Sequence, residues 1–230
     1  MLENIKFALQ VIREAIINGR LSDLLRQQIF RKRVATPAEM DLSTIPSDGY
    51  THLDSDYRFL ELKQNELYKG IWSFAVPSRR AKALRNLNRG MRGFALVKDS
   101  TVIGDLWCVA PIEKGRPVTH PDLDMLGIRC GEGEAYAQDM LIDPEYRGKN
   151  LCVAIQRSLQ LTLKKEGWGK VYGYYWDDNI PAMWMHRMLK YKELPKRQVS
   201  RFFFYKKAEK LVQPVPVALN MQKNPTNGDR

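Results

Sequence analysis

The stretch DMLIDPEYRGKNLCVAIQRSLQL, residues 139–161, constrains the fold of this chain more than any other. An apolar run breaks at Asp143-Pro144, passes through Arg147-Gly148-Lys149 and turns helical, with Leu151, Ile155, Leu159 and Thr162 at helical spacing. A strand that runs through a short turn straight into a helix leaves free backbone N–H groups at the helix start, where the helix dipole also favours an anion. Arg147 and Lys149 add positive charge, and Gly148 lets a ligand approach without a Cβ in the way. The turn reads either as a phosphate cradle or as a plain strand-to-helix connection with surface charges.

The 230 residues suffice for one packed domain with extensions, and 44% hydrophobic with 27% charged residues is ordinary for a soluble protein. Three cysteines, Cys108, Cys130 and Cys152, form no C-x-x-C pair, and an odd number argues for reduced thiols and a cytoplasmic setting. The opening MLENIKFALQVIREAIINGR is interrupted by Arg13 and Glu14 and is followed by no small-residue cleavage site. No stretch approaches the roughly 20 apolar residues of a membrane span. The net charge of +11 suits a polyanionic partner: nucleic acid, an anionic membrane or a phosphorylated cofactor. The basic residues are scattered without a nucleic-acid recognition motif, which argues against the first. His52, His120 and His186 lack metal-ligand spacing, so no metal is expected.

Ile5, Leu9, Ile12 and Ile16 repeat at helical spacing up to Gly19, and Ser22 reads as the N-cap of a second short helix through Leu24, Leu25, Ile29 and Phe30. Residues 1–46 are thus expected to be a basic, amphipathic helical arm and linker. Its apolar face would pack on the core, on a dimer mate or on a membrane surface. From Tyr57 the pattern becomes strands and helices. YRFLELK, RGFALVKDS, TVIGDLWCVAP, EAYAQDMLI, KVYGYYW and SRFFFYKK read as strands; residues 65–89, 150–166 and 181–190 read as helical, with a break at Pro77. Residues 112–133 form a Gly/Pro-rich excursion expected to shape the acceptor side. Residues 208–230, with Pro214, Pro216 and Pro225, read as a flexible tail.

This order of elements over residues 50–207 resembles the GNAT superfamily of acyl-CoA-dependent N-acyltransferases. IDPEYRGKNLC is similar to the family's signature of Arg or Gln, two residues, Gly, one residue, then Gly or Ala; Asn150 and Cys152 stand where small residues are usual. DNIPAMWMHRMLKYK is similar to the second signature at Asn179 and Ala182, with Tyr191 for the usual Phe and Lys190 for the Gly. The resemblance implies an α/β (α+β) domain over residues 47–207, a mixed, mostly antiparallel twisted sheet flanked by helices. It also implies that the amides of Arg147, Gly148, Lys149, Asn150, Leu151 and Cys152 hold the pyrophosphate of coenzyme A. Asn179 would then lie near the pantetheine arm, and the acyl group would sit in a splayed opening against free strand amides of Met140, Leu141 and Ile142.

Transfer from a thioester to an amine needs a deprotonated amine, a held carbonyl and a proton for the departing thiolate. Asp139 and Glu134, on the strand before the cradle, are the candidate bases. His186, aligned through Asn179 and Ala182 with a tyrosine that protonates the thiolate in many members of the family, is the candidate acid. The expected function is N-acylation, by acetyl or another acyl-CoA, of a primary amine on a small molecule or peptide. The alternative is a non-catalytic acyl-CoA-binding or nucleic-acid-associated regulator on the same fold. A covalent role for Cys152, at a helix start where thiol pKa falls, is a further alternative.

Overall fold

RGFALVK and TVIGDLWCV are apolar at nearly every position, a pattern suited to strands buried on both faces. In the computed structural model they are the two adjacent central strands β4 (Arg92–Lys98) and β5 (Thr101–Val109) of a ten-stranded sheet. The structure describes residues 30–46, 53–111, 118–202 and 205–211, together with residues 13, 16 and 17. The remaining strands are β1 (Phe30–Asp41), β2 (Tyr57–Leu62), β3 (Ser73–Phe74), β6 (Glu134–Ile142), β7 (Lys170–Trp176), β8 (Lys192–Glu193), β9 (Arg197–Phe202) and β10 (Tyr205–Lys210). The helices are α1 (Gln64–Tyr68), α2 (Pro77–Leu87), α3 (Pro121–Leu126), α4 (Leu151–Lys165) and α5 (Ile180–Met188).

The sheet runs β10-β9-β1-β7-β6-β5-β4-β2, with β3 added to β5 and β8 to β1. Pairing is antiparallel except at β6–β7 and β3–β5. A parallel pair cannot be joined by a hairpin, so β6 and β7 require a crossover, which α4 supplies. Side-chain parity sorts the core into two faces. Phe94, Leu96, Leu106 and Cys108 pack with Leu151, Ile155, Leu159 and Leu163 of α4 and with Met185 and Leu189. Ala95, Val97 and Trp107 face the other way, toward Ala83 and Leu84 of α2. A third cluster joins Leu123 and Leu126 of α3 to Ala35, Tyr136, Tyr172 and Val199. Burying each large apolar side chain of α4 contributes about 1.5–3 kcal/mol.

Two sequence expectations are corrected here. Residues 30–41, placed in the helical arm and its linker, form the strand β1 between β7 and β9. Ala35, Thr36 and Ala38 are buried, so small and β-branched residues pack there against the sheet's core, a demand that local helical spacing does not register. SRFFFYKK, read as one strand, contributes to two, because β9 and β10 pair in antiparallel register from Phe202 opposite Tyr205 to Arg197 opposite Lys210. The amphipathic arm before Phe30 lies outside the described residues except for Arg13, Ile16 and Ile17, which are helical, the two isoleucines being exposed. The tail from residue 212 lies outside them too. Among the described residues no helix is long and apolar enough to cross a membrane.

The sheet is interrupted at one place in β6. Trp107 pairs with Gln138 and Asp105 with Leu141, so Asp139 and Met140 together oppose Leu106. This is a β-bulge, with Asp139 in the left-handed region at φ 54°. Across it the parity flips: Ala135 and Ala137 before the bulge, and Met140 and Ile142 after it, all face α4. Arg79 of α2 holds the distortion. Its Nε donates to Asp105 at 2.9 Å, its Nη1 to the Asp139 carboxylate at 3.2 Å and its Nη2 to the Asp139 carbonyl at 3.1 Å. Trp107 Nε1 donates to the other oxygen of Asp105 at 2.7 Å, and Lys82 also pairs with Asp139. Asp105 is 1% exposed.

Removing one partner of a buried pair strands the other charge, at a cost of about 3–5 kcal/mol. Arg79→Met is therefore expected to lose stability of that order in urea unfolding at neutral pH. Adding Asp105→Asn should recover part of the loss; an Arg79→Met loss below about 1 kcal/mol would show that the clamp is not structural.

Candidate active site

β6 and β7 pair only at Glu134–Lys170, Ala135–Val171 and Tyr136–Tyr172. Beyond these positions the two strands separate, and the edge of β6 after the bulge has no strand partner on its β7 side. A cavity of about 780 Å³ fills the opening. Ala137 to Ile142 of β6 form one wall and Gly173 to Trp176 of β7 the other. The start of α4 and the face of α5 carrying Ala182, Met185 and His186 close one side.

The turn after β6 forms as its residues dictate. Asp143 caps a short 3-10 turn by accepting from the Glu145 amide, and Pro144 opens that turn, its missing N–H being no loss there. Gly148 lies at φ 84°, with nothing within 4 Å of where a Cβ would stand. Asn150, at φ 55°, precedes α4 without a side-chain cap bond; its carbonyl accepts from the Val153 amide, and the Leu151 and Cys152 amides ahead of it are left for a ligand. Asn is the non-glycine residue that best tolerates this backbone, which explains how the turn forms without a small residue here. Arg147 donates from Nε to the Ile142 carbonyl at 3.2 Å, fixing the turn to the end of β6. Arg147, Gly148, Asn150, Leu151 and Cys152 all line the cavity, as do Met140, Leu141 and Ile142. The Lys149 side chain turns away, its Nζ lying 3.3 Å from the Tyr57 hydroxyl.

Asn179 lines the cavity and also caps α5, its side chain accepting from the Ala182 amide at 3.3 Å. His186 is buried in the cavity wall, its ring between those of Tyr175 and Tyr191 at centroid distances of 5.1 and 4.8 Å. Burial lowers its pKa below the ordinary value, so the resting ring is neutral at physiological pH. A ring that is neutral at rest can fill the acid role read from the sequence only after it has first taken up a proton.

The two candidate bases fare differently. Asp139 lines the cavity, but Arg79 and Lys82 engage its carboxylate, which makes it a structural partner of the bulge rather than a free base. Glu134 stands at the other end of β6, where it accepts from the Gly131 amide at 2.7 Å and pairs with Lys170. Three residues of strand, about 10 Å, separate it from Ala137, where the cavity wall begins. Burial raises the Cys152 thiol pKa, which disfavours the thiolate a covalent role requires. Among the described residues no group of three or more His, Cys, Asp or Glu could hold a metal.

Sequence reading missed Arg79 and Asp105, which shape the bulge, and Gln156 and Gly173, which line the cavity. Asp105 was the available signal: a single acid in an otherwise apolar strand requires a buried cation. From the 112–133 excursion, the described residues bring one side chain against the cavity wall. His120, capping α3, stands 2.9 Å from Gln138, which lines the cavity.

No family model and no curated protein matches the chain. Among solved structures it is similar to a tandem GNAT protein from the clavulanic acid biosynthesis pathway, with 15% identity and a TM-score of 0.51. That match covers 76% of this chain and 53% of the other. It is also similar to a glucosamine N-acetyltransferase region in a fungal multi-domain β-N-acetylglucosaminidase, with 15% identity and a TM-score of 0.53. Here 80% of this chain and 23% of the other are covered. This chain has the GNAT fold. The likeness extends to the mixed, mostly antiparallel sheet with helices on both faces, as the two signatures imply. β1, which begins at Phe30, is part of this sheet and lies ahead of residue 47, where the domain was expected to begin.

A buried neutral histidine has a definite effect on stability. With the folded pKa below the unfolded value of about 6.5, protons bind the unfolded chain first, so stability is full above that pH and falls as pH drops through the folded pKa. Urea midpoints at pH 7.5 and 5.5 are expected to fall less for His186→Gln than for the unaltered protein. Equal falls would mean that the ring is not held neutral.

Proposed function

We propose that this protein is an N-acyltransferase that moves an acyl group, most simply acetyl, from acyl-CoA to a primary amine by direct attack. The observation that carries the reading is the opening between β6 and β7, bounded at one end by the turn at residues 147–152. Open amides at the start of α4, beside the Arg147 guanidinium, suit a pyrophosphate. The unpaired edge of β6 offers backbone groups to the amides of a pantetheine arm, as a missing strand would. Fold likeness to a structure described as a glucosamine N-acetyltransferase region supports the same chemistry.

Direct transfer requires no covalent intermediate. The amine attacks the thioester carbonyl, a C–N bond forms, the C–S bond breaks, and a proton passes from nitrogen to sulphur. Tyr174 and Trp176 of β7 and Gln138 of β6 lie on the wall reached by α3, and we assign this side to the acceptor, a small-molecule or peptide amine. The protein is proposed to act in the cytoplasm, where acyl-CoA is available to it.

Isothermal calorimetry with CoA and acetyl-CoA, together with thiol release across a panel of amines, tests this reading. Binding should raise the melting temperature by mass action. Arg147→Glu should weaken CoA binding by roughly tenfold or more, the size of a lost charge-assisted hydrogen bond. Lys149→Glu should weaken it less, because that side chain points to Tyr57. No heat and no melting shift with either ligand at millimolar concentration would refute the reading.

A further inference from the structure

His186 has one ring nitrogen engaged and one open. Nδ1 lies 2.8 Å from the Ala182 carbonyl. A carbonyl only accepts, so Nδ1 carries the hydrogen, and in the neutral ring Nε2 holds the lone pair. Nε2 has no partner among the described residues. It lies 3.5 Å from the position a Cβ would occupy on Gly173, and the Ala137 carbonyl lies 3.6 Å from the same point. Gly173 and Ala137 are the residues immediately beyond Tyr172 and Tyr136, the last pair before β6 and β7 separate. The missing side chain at Gly173 therefore keeps a lane open between the end of strand pairing and the lone pair of His186.

The groups around the ring leave it this role. Tyr175 of β7 donates its hydroxyl to Glu193 of β8, and Arg187 of α5 engages the same carboxylate. Tyr191, beyond α5, accepts from Gln156 of α4, and burial pushes its pKa up to about 12. On β6 the one acid in the cavity wall, Asp139, is held by Arg79 and Lys82.

Given the acyl-transfer reading on which this rests, we propose that His186 is the proton shuttle of the reaction, Nε2 taking a proton from the attacking amine and passing it to the departing sulphur. As the C–N bond forms, the nitrogen becomes a cationic ammonium and Nε2 accepts one of its protons. The Nδ1 hydrogen bond to Ala182 keeps the ring in place while it is an imidazolium. When the C–S bond breaks, the thiolate takes the proton from Nε2, leaving amide, free thiol and the neutral ring. Burial disfavours the imidazolium, which makes it a strong acid toward the thiolate. One group thus serves as base and then as acid, and no second ionisable residue is needed.

The chain has three histidines, so 15N-histidine labelling resolves the ring directly. At pH 7.5 the His186 signals are expected to show the Nδ1–H tautomer, with the Nε2 resonance moving on saturation with CoA. Initial rates with acetyl-CoA and a reactive amine should rise with pH through the titration of the ring and stay level above neutrality. His186→Gln reaches as far but carries no proton; it should lower kcat by about 10²-fold or more, remove the His-dependent limb and leave CoA affinity nearly unchanged. Gly173→Ala, which puts a methyl group into the lane, should lower kcat while the ring keeps its tautomer. A rate that falls above neutrality as the ring loses its proton, an Nε2–H tautomer, or a CoA-binding glutamine variant with kcat within a few-fold of the unaltered protein would overturn the shuttle alone. CoA binding without acylation of any amine would overturn the transfer reading with it.

Discussion

The guanidinium of Arg79 is the interaction on which the rest of this architecture depends. It spans Asp105 on β5 and both the carboxylate and the carbonyl of Asp139 on β6. A bulge costs ladder hydrogen bonds, and a non-glycine residue at positive φ costs further strain, so neither persists unless the surroundings determine it. A buried carboxylate such as Asp105 likewise requires a cation. One side chain meets both demands, and the consequence is transmitted along β6. The strand bends at Asp139, loses its pairing with β7 after Tyr136, and leaves the opening that becomes the cavity.

The site is therefore made largely of backbone. The turn at Gly148 and Asn150 presents amides at the start of α4, the free edge of β6 presents more, and side chains set the boundaries. This economy fits the acyl transfer proposed above, in which the thioester is already reactive and the protein would position two partners and move one proton. Within that geometry the neutral ring of His186 turns an open lone pair toward the gap, while Asp139 in the cavity wall is committed to Arg79 and Lys82.

Legibility differed sharply between elements. The strands β4 to β7 and the helices α4 and α5 follow local rules, with Pro181 just inside α5, Asn179 as its cap and an unbroken helical period through α4, so their existence could be read directly. The turn at residues 147–152 was equally legible, because its conformation follows from Gly148 and Asn150 themselves. β1 was not, because the helical pattern before it and the scattered charges within it give no sign that Ala35 to Ala38 would be buried between two strands. The state of the candidate bases was least legible, because the availability of Asp139 and of Glu134 depends on cations contributed from α2 and β7.

By itself, then, the sequence determined the local units: where strands hand over to helices, which turn exposes its amides, and which residues are buried along each periodic stretch. Those follow from backbone preferences and from hydrophobic periods of 2 and 3.6, which act over a few residues. Only the tertiary structure decided that β6 parts from β7, that Lys149 turns to Tyr57 and that His186 is neutral with Nε2 toward the gap. Each of these is a property of burial and of partners brought from distant parts of the chain. A charge state or a free lone pair is set by the groups within a few ångströms in space, and residue order specifies those only through the completed fold.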